Sequence, residues 1–460
     1  MALPPELLQA VSAPGGGKIA LVIGAGCSVE QPTNIPVSRV CSNEIHRRLI
    51  DDGVLQDGDC ANSDDLSALA DAVFSKRNSQ RDVVERLCEK YGLKLATPNQ
   101  GYWIAAALLC EGAIASVVTL NYDLALSTAL SALGADKIVG VVERPEDLPH
   151  QKTINVYYLH RNANATDPEL WVLRTSVLTV EWKGHWEPIV AAKVLVAPVV
   201  VFAGLGTPVA VLIESARLIR NALPGTTKVY QADPGDIVDS KFFQALSLDP
   251  SMYIKFGWGQ LMEALSQRLS KEQIVQLEQA AKRKIREDNL TNEDIAGLLS
   301  ALQALGIVKF GKLRANWLLH DKPYRPFEAD THGLLGDLLL ALATMARVSG
   351  AEAVILDDGS VEFRRDGRVA ASFLIASGCG HRGRQAVEAA VQSRRSEYRN
   401  CPAVLVGGTS ASWTTPPTPP KDIVQGDVSK QDILRGPMSL PLLHISELRE
   451  NHDLIRQVVP

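Results

Sequence analysis

The stretch KIALVIGAGCSVEQPTNIPVS, residues 18–38, decides the fold of this chain. Ile19–Ile23 is an uninterrupted apolar run, which predicts a strand buried in a parallel sheet. Gly24 and Gly26 follow at once, and glycines there let the backbone turn sharply and approach a ligand closely. A helix beyond them would direct its free amides at an anion such as a pyrophosphate. Val29 stands where a dinucleotide fingerprint has its third glycine, so an ordinary strand-to-helix turn fits equally well.

The composition narrows the class of protein. A chain of 460 residues exceeds one typical domain, so we expect two or three domains. The net charge of −5 argues against a chain-wide basic surface for nucleic acid. The 7 cysteines are odd in number and include no C-x-x-C pair, which argues against a disulfide framework and a four-cysteine zinc site. We therefore expect a cytoplasmic protein without a bound metal.

Two segments bear on targeting. The N-terminus has neither a basic region nor a long apolar core, so it does not read as a signal peptide. Residues 194–213 carry no charge over the length that spans a bilayer. Prolines and glycines interrupt this run, which instead fits a buried strand, a glycine turn and a covering helix. We expect no membrane span.

Four further apolar runs alternate with helical patterns and end in polar or glycine residues. This alternation predicts an α/β fold with a Rossmann-like, doubly wound parallel sheet. Since ligands bind at the carboxyl edge of such sheets, the strand ends together indicate a site. The runs are 113–120, 154–159, Val199–Ala203 and 228–231, followed in turn by Asn121-Tyr122-Asp123, His160, Gly204-Leu205-Gly206-Thr207 and Asp233.

Helical patterns fill the segment between the first two strands. Residues 36–52 predict a helix with Val37, Val40, Ile45 and Leu49 on its inner side, and residues 63–112 are helical in pattern. We interpret residues 36–112 as a helical module inserted after the first strand.

The motifs GAGCS…NIP, TLNYD, YLH and GLGT occur in the order found in the SIR2 (sirtuin-like) family. The resemblance covers roughly residues 15–270 and is strongest to divergent bacterial SIR2-like proteins, several of which are NAD-consuming defence effectors. It implies a Rossmann-like sheet that binds NAD, with the helical module inserted.

Two features depart from the family pattern. Arg161 follows His160 where the family has a glycine, so the backbone there is expected to take another course. The family's zinc module with its two C-x-x-C pairs is absent, which puts peptide deacylation in doubt.

The resemblance also implies roles for individual residues. Asn121 orients a water or a ribose hydroxyl, and His160 serves as the base. Asp123 accepts a hydrogen bond from the nicotinamide carboxamide. The NAD-binding set implied is Gly24, Ala25, Gly26, Ser28, Pro36, Asp123, Gly204, Gly206, Thr207 and Asp233.

Structural roles compete with these assignments. Asn121 after a strand also suits a helix N-cap, and His160 also suits a packing role. Asp233 precedes Pro-Gly, where turns favour aspartate in any case.

The C-terminal part predicts a second domain. Residues 271–324 form a helical connector, and residues 325–460 read as a helix (334–348), three strands (352–357, 360–364, 368–376), a helix (385–398) and a strand (Ala403–Val406). A Pro-rich linker follows at 413–420, and the tail adds an edge strand and a helix. This order resembles the PD-(D/E)XK nuclease fold. The third strand lacks the acid and lysine of that site, so we expect a docking or regulatory module without nuclease activity.

The resemblance favours an NAD+ hydrolase that releases nicotinamide and ADP-ribose, acting as a regulated bacterial antiviral effector. A homo-oligomer and a partner protein, ATPase or Argonaute-like, would fit, with nucleic acid reached only through that partner or the second domain. The alternatives are an NAD-dependent deacylase or ADP-ribosyltransferase, and a non-catalytic sensor of NAD or ADP-ribose.

Overall fold

A computed structural model gives the architecture of the chain. The structure describes residues 3–13, 16–179, 186–286, 289–377, 403–407 and 442–460. The predicted helix at 385–398 and the predicted linker at 413–420 lie outside these residues. The chain divides into two compact units, Met1–Leu269 and Ser270–Pro460.

The first unit is built on a 7-stranded sheet in the order β3-β4-β2-β1-β5-β6-β7. Each pair of neighbouring strands in this sheet runs parallel, which confirms the predicted Rossmann-like fold class. The strands are β1 Ile19–Ile23, β2 Ile114–Thr119, β3 Val139–Val142, β4 Ile154–Tyr158, β5 Val199–Ala203, β6 Lys228–Ala232 and β7 Tyr253–Ile254.

Strands β3 and β7 were not predicted from the sequence. Strand β3 is short and contains Gly140, and β7 has only 2 residues, so neither gives a clear apolar run. Both lie at the edges of the sheet, where fewer side chains need to be apolar.

Strand β1 lies at the centre and is buried along its whole length. It pairs with β2 on one side and with β5 on the other. From β1 the chain continues to β2 and β4, and from β5 it continues to β6 and β7, so the winding direction reverses between β1 and β5. Parallel sheets bind ligands in the crevice at such a reversal.

Helices cover the sheet and form the inserted module. The module comprises α2 to α5. In chain order the helices of this unit are α1 Pro5–Val11, α2 Ser38–Asp51, α3 Leu66–Arg77, α4 Arg81–Tyr91, α5 Gln100–Cys110, α6 Ala125–Ala132, α7 Thr175–Thr179, α8 Trp186–Leu195, α9 Ala210–Ala222, α10 Lys241–Leu246 and α11 Trp258–Lys282, whose last turns belong to the second unit.

The prediction for the inner face of α2 was half right. Ile45 and Leu49 are buried, whereas Val37 and Val40 are exposed. Helix α2 begins at Ser38, so Val37 precedes it, and the buried stripe of the helix starts at Cys41 and repeats every four residues. Val40 therefore lies about 100° away from that stripe.

The uncharged run at 194–213 folds as predicted, into the end of α8, strand β5 and the start of α9. In the described part of the chain, no single helix is long and apolar enough to cross a membrane. Asn292–Ala304 and Gly306–Trp317 pass that test only as a pair, bent by 112°.

The second unit has a 5-stranded sheet in the order β12-β11-β10-β9-β8. Its strands are β8 Glu352–Ile355, β9 Val361–Arg365, β10 Arg368–Ile375, β11 Ala403–Val406 and β12 Leu442–His444. Strands β8, β9 and β10 pair antiparallel, and β10, β11 and β12 pair parallel. The predicted strands, the β8–β9 hairpin and the edge strand in the tail are thus all present.

Helices pack on this sheet around one apolar core, which includes Leu338, Leu342, Phe363 and Phe373. The helices are α12 Asn292–Ala304, α13 Gly306–Trp317, α14 Ala329–Ser349, α15 Ile445–Glu450 and α16 His452–Val458. On β9, the Glu362 carboxylate accepts from Arg364 at 2.6 and 2.8 Å. Among the described residues, no group of three histidine, cysteine or acidic side chains is placed to hold a metal ion.

Candidate functional site

Asn121 lies just beyond the end of β2, at the carboxyl edge of the sheet, and its side chain is buried. Its amide nitrogen lies 3.1 Å from the Gly24 carbonyl oxygen, 3.1 Å from Ser28 Oγ and 3.0 Å from the Tyr102 hydroxyl. A carbonyl oxygen only accepts hydrogen bonds, so the nitrogen of Asn121, not its oxygen, must face Gly24. The amide oxygen of Asn121 therefore points away from these three partners.

Ser28 and Asp123 complete this network. Ser28 Oγ donates to Asp123 Oδ2 at 2.7 Å, and the Ala125 amide donates to Asp123 Oδ1 at 3.0 Å. Burial raises the pKa of the Asp123 carboxyl, against the hydrogen bonds from Ser28 and Ala125, which lower it. The resemblance placed both residues in the NAD-binding set, with Asp123 accepting from the nicotinamide carboxamide. In the structure Ser28 is 1% exposed and Asp123 is 5% exposed, and the two bind each other.

Tyr102 is a site residue that the sequence reasoning missed. It comes from α5 of the inserted module, is 1% exposed, and its hydroxyl lies 2.8 Å from Ser28 Oγ. A signal was available, because a tyrosine in the apolar helix YWIAAALLC needs a polar partner for its hydroxyl when it is buried.

The glycines of GAG and GLGT are needed for packing between two strand ends. A Cβ on Gly24 would lie 2.8 Å from the Gly204 carbonyl oxygen, and a Cβ on Gly26 would lie 2.7 Å from Gly204 Cα. The Gly26 amide donates to the Gly204 carbonyl at 2.9 Å. The turns that follow β1 and β5 therefore pack directly against each other, at the place where the winding direction of the sheet reverses.

A 3-10 turn separates the glycines from the helix predicted at 36–52, which is present as α2. Ala25–Ser28 forms a short 3-10 turn, and the next α-helix begins at Ser38. The Gly24, Gly26 and Cys27 amides are bonded to the carbonyls of Ala203, Gly204 and Gly24.

The remaining predicted residues lie in the glycine turn, before α2, and in the loops after β5 and β6. Ala25 and Pro36 are partly exposed, and Gly206 and Thr207 are exposed in the loop after β5. Asp233 follows β6 and accepts from the Gly235 amide at 2.7 Å, which is the turn geometry that competed with its predicted place in the NAD-binding set.

His160 lies beyond the end of β4, next to β2 in the sheet, and carries a perturbed imidazole. Burial lowers the pKa of His160 to about 4, although a hydrogen bond with the backbone of Leu120 raises it. The imidazole is therefore neutral at pH 7, which is the form that accepts a proton.

The loop after His160 is anchored to the inserted module. Tyr122 stacks on Trp171 with ring centroids 4.2 Å apart, and the Val172 amide donates to the His160 carbonyl at 3.1 Å. The Gln80 side-chain nitrogen, just before α4, donates to the carbonyls of Pro168 and Trp171 at 2.7 and 2.9 Å. No sequence motif indicated Gln80. These contacts fix where the backbone of His160 lies.

Arg161 keeps the backbone conformation that suits a glycine. Its φ is 70°, in the left-handed region that glycine adopts most readily. Its guanidinium donates to the Glu143 carbonyl at 3.3 Å and lies 5.5 Å from the ring of Trp186.

Arg161→Ala should be less stable than Arg161→Gly by about 1 kcal/mol, because both lose the guanidinium contacts but only alanine keeps a Cβ in the left-handed region. Chemical denaturation of the two variants measures the difference directly. Equal free energies of unfolding would show that the strain at this position is absent.

His160 should make the fold sensitive to acid. Its pKa is about 4 in the folded chain and about 6.5 in an unfolded one, so the unfolded state binds more protons between these values. Stability is then lost as the pH falls from 6.5 towards 4, by at most about 3 kcal/mol. His160→Asn removes this proton uptake, and its free energy of unfolding should fall less than that of the wild type over the same range. Parallel curves for the two proteins would contradict the assignment.

The chain was compared with known proteins. No family model matches it, and no curated protein matches it. Solved structures of Sir2 homologues do match. A mutant Sir2 homologue bound to ADP-ribose is 15% identical, with 58% of this chain and 97% of that chain covered and a TM-score of 0.38. A Sir2 homologue–NAD complex is 17% identical, with 58% and 94% covered and a TM-score of 0.36. A complex described as Sir2, p53 peptide and NAD+ is 14% identical, with 56% and 95% covered and a TM-score of 0.33.

Proposed function

We propose that this chain hydrolyses NAD+ at the bond between nicotinamide and ribose, releasing nicotinamide and ADP-ribose. The observation that carries the proposal is the buried network in which Asn121 and Asp123, from one strand end, meet Ser28 from the glycine turn. It lies at the edge of the sheet where dinucleotides bind in such folds. The SIR2-like order of the motifs supports the same conclusion.

The site must supply an oriented nucleophile and a base. Departure of neutral nicotinamide leaves an oxocarbenium-like ribose, by analogy with glycoside hydrolysis. The amide oxygen of Asn121, which faces away from its network, holds the attacking water or a ribose hydroxyl. The neutral imidazole of His160 takes the proton that this water releases as its oxygen bonds to the ribose carbon.

The loop after β5 leaves room for a dinucleotide, whereas Asp123 is already bonded within the network. Gly206 and Thr207 are exposed and present a small, polar surface beside the reversal point of the sheet. Gly206 has no heavy atom within 4 Å of a Cβ position, so this side of the turn is open. Asp123 is bonded to Ser28, so it would have to exchange that bond in order to accept from a nicotinamide carboxamide.

The test is nicotinamide release from NAD+ by the purified full chain, followed by chromatography, with and without an acetyl-lysine peptide. Release without the peptide, lost in His160→Ala, supports an NAD+ hydrolase. Release only with the peptide would mean an NAD-dependent deacylase. Transfer of ADP-ribose to protein would mean a transferase, and tight NAD+ binding without turnover would mean a sensor.

The proposed chemistry requires that the activity be regulated. An uncontrolled NAD+ hydrolase would be toxic to its own cell, so we propose that the second unit holds the activity in check. Release by a partner protein, ATPase or Argonaute-like, or by homo-oligomer assembly would suit an antiviral effector. Nicotinamide release measured before and after adding such a partner tests this part.

A further inference from the structure

The hydroxyl of Tyr102, on α5, links the inserted module to the hydrogen-bond network of Ser28, Asn121 and Asp123. It lies 2.8 Å from Ser28 Oγ and 3.0 Å from the amide nitrogen of Asn121. Burial raises the pKa of Tyr102 well above its ordinary value, so the hydroxyl keeps its proton. Tyr102 therefore has one hydrogen to donate and lone pairs to accept with.

The directions of these hydrogen bonds follow from the Asp123 carboxyl, which accepts from the Ser28 hydroxyl and from the Ala125 amide. Ser28 gives its one hydrogen to Asp123, so Ser28 can only accept from Tyr102. Tyr102 has then used its hydrogen and must accept from Asn121. The second hydrogen of the Asn121 amide goes to the Gly24 carbonyl. The donors run in one direction, from Asn121 through Tyr102 and Ser28 to Asp123.

Tyr102 is held firmly in this position. Asn99 caps α5 by accepting from the Tyr102 amide at 3.1 Å, and its own side-chain nitrogen donates to the Cys27 carbonyl at 2.9 Å. The ring of Trp258 lies 5.7 Å from the Tyr102 ring and leaves no space for a side chain at Gly101. The module thus presents a preorganised hydroxyl rather than a mobile one.

We infer that Tyr102 is a positioning residue for the proposed NAD+ cleavage, because its hydroxyl holds the Asn121 amide nitrogen inward and thereby turns the Asn121 oxygen towards the substrate. The inference rests on the proposed function. It gives the inserted helical module a part in the site, since α5 supplies the oxygen that orients a residue on a strand end.

Tyr102→Phe tests the inference by removing one oxygen atom and keeping the ring. We expect kcat for nicotinamide release to fall at least about fivefold, which is a larger change than that of KM. Tyr158→Phe is the matched control, since Tyr158 is also 1% exposed and its hydroxyl lies 2.9 Å from Ser127, outside the network. Thermal unfolding of both variants separates lost positioning from lost stability.

The pH profile gives a second readout that general loosening of the fold would not move. The chain of donors needs ionised Asp123, and Ser28→Ala removes a donor that lowers the pKa of this carboxyl. The part of the acid limb of kcat that Asp123 sets should therefore move to higher pH, while the part set by His160, with its pKa of about 4, stays in place. Cys27, Tyr102 and Tyr158 are the other titratable groups that sense Asp123, and burial raises the pKa of each. None of them titrates in the acid range.

The following results would overturn the inference, the proposed function or both. A kcat for Tyr102→Phe equal to that of Tyr158→Phe overturns the inference, and so does an unmoved acid limb in Ser28→Ala. A rise in kcat also overturns it, because the hydroxyl would then be blocking the site. If the wild type binds ADP-ribose without cleaving NAD+, the proposed function is wrong, but the inference about Tyr102 is still open to test. The affinity for ADP-ribose is then measured by calorimetry. Tyr102→Phe should bind ADP-ribose at least about fivefold more weakly than Tyr158→Phe does. A wild type that does neither overturns both.

Discussion

Asn121→Ala is expected to lower nicotinamide release from NAD+ by about 10²–10³-fold. The substitution removes the amide oxygen that faces away from the network, and it removes the amide nitrogen that lies 3.1, 3.1 and 3.0 Å from Gly24, Ser28 and Tyr102. A positioned polar group that stabilises developing charge or orients a nucleophile contributes on this scale. Steady-state release of nicotinamide measures the effect.

Asn155→Ala is the matched control for this variant. Asn155 is also a buried asparagine, and it lies near the start of β4, at the opposite edge of the sheet, where its side chain bonds the backbone of Lys152. The control should lose stability but keep its rate per folded molecule within about threefold. If the two variants lose activity equally, Asn121 has no special part in the reaction.

Gly204→Ala is expected to destabilise the first unit by about 3 kcal/mol or more. Gly204 has a φ of 66°, and a Cβ there would lie 2.6 Å from the Cys27 amide nitrogen. The left-handed conformation alone costs an alanine roughly 1–2 kcal/mol, and the collision with backbone adds a cost of similar size. Urea unfolding followed by circular dichroism gives the free energy.

Gly206→Ala is the control two residues further on. A Cβ at Gly206 meets no heavy atom within 4 Å, and its φ is not in the left-handed region. Its free energy of unfolding should stay within about 0.5 kcal/mol of the wild type. A Gly204→Ala protein as stable as Gly206→Ala would mean that β1 and β5 do not meet in this way.

Local pattern was sufficient for much of the fold. The apolar runs of β1, β2, β4, β5 and β6 are long and bounded by polar or glycine residues, and each forms a strand where predicted. The short edge strands β3 and β7 were missed because a few residues at the edge of a sheet carry too little apolar pattern. The helix predicted at 36–52 is present as α2, whereas local propensity did not show the 3-10 turn at Ala25–Ser28, in which the Gly26 amide bonds the carbonyl of Gly204.

The sequence by itself determined the parallel sheet, the order of its motifs and the strand ends at which the polar residues gather, because these depend on periodicity and on residues that are neighbours in the chain. Only the tertiary structure decided that Tyr102 bonds Ser28 and Asn121, that Ser28 is enclosed with Asp123, and that Gly204 needs its glycine for the end of β1. The physical reason is separation along the chain. Hydrogen bonds between residues 74 and 95 positions apart leave no local pattern, and they exist only once the strands and α5 have packed.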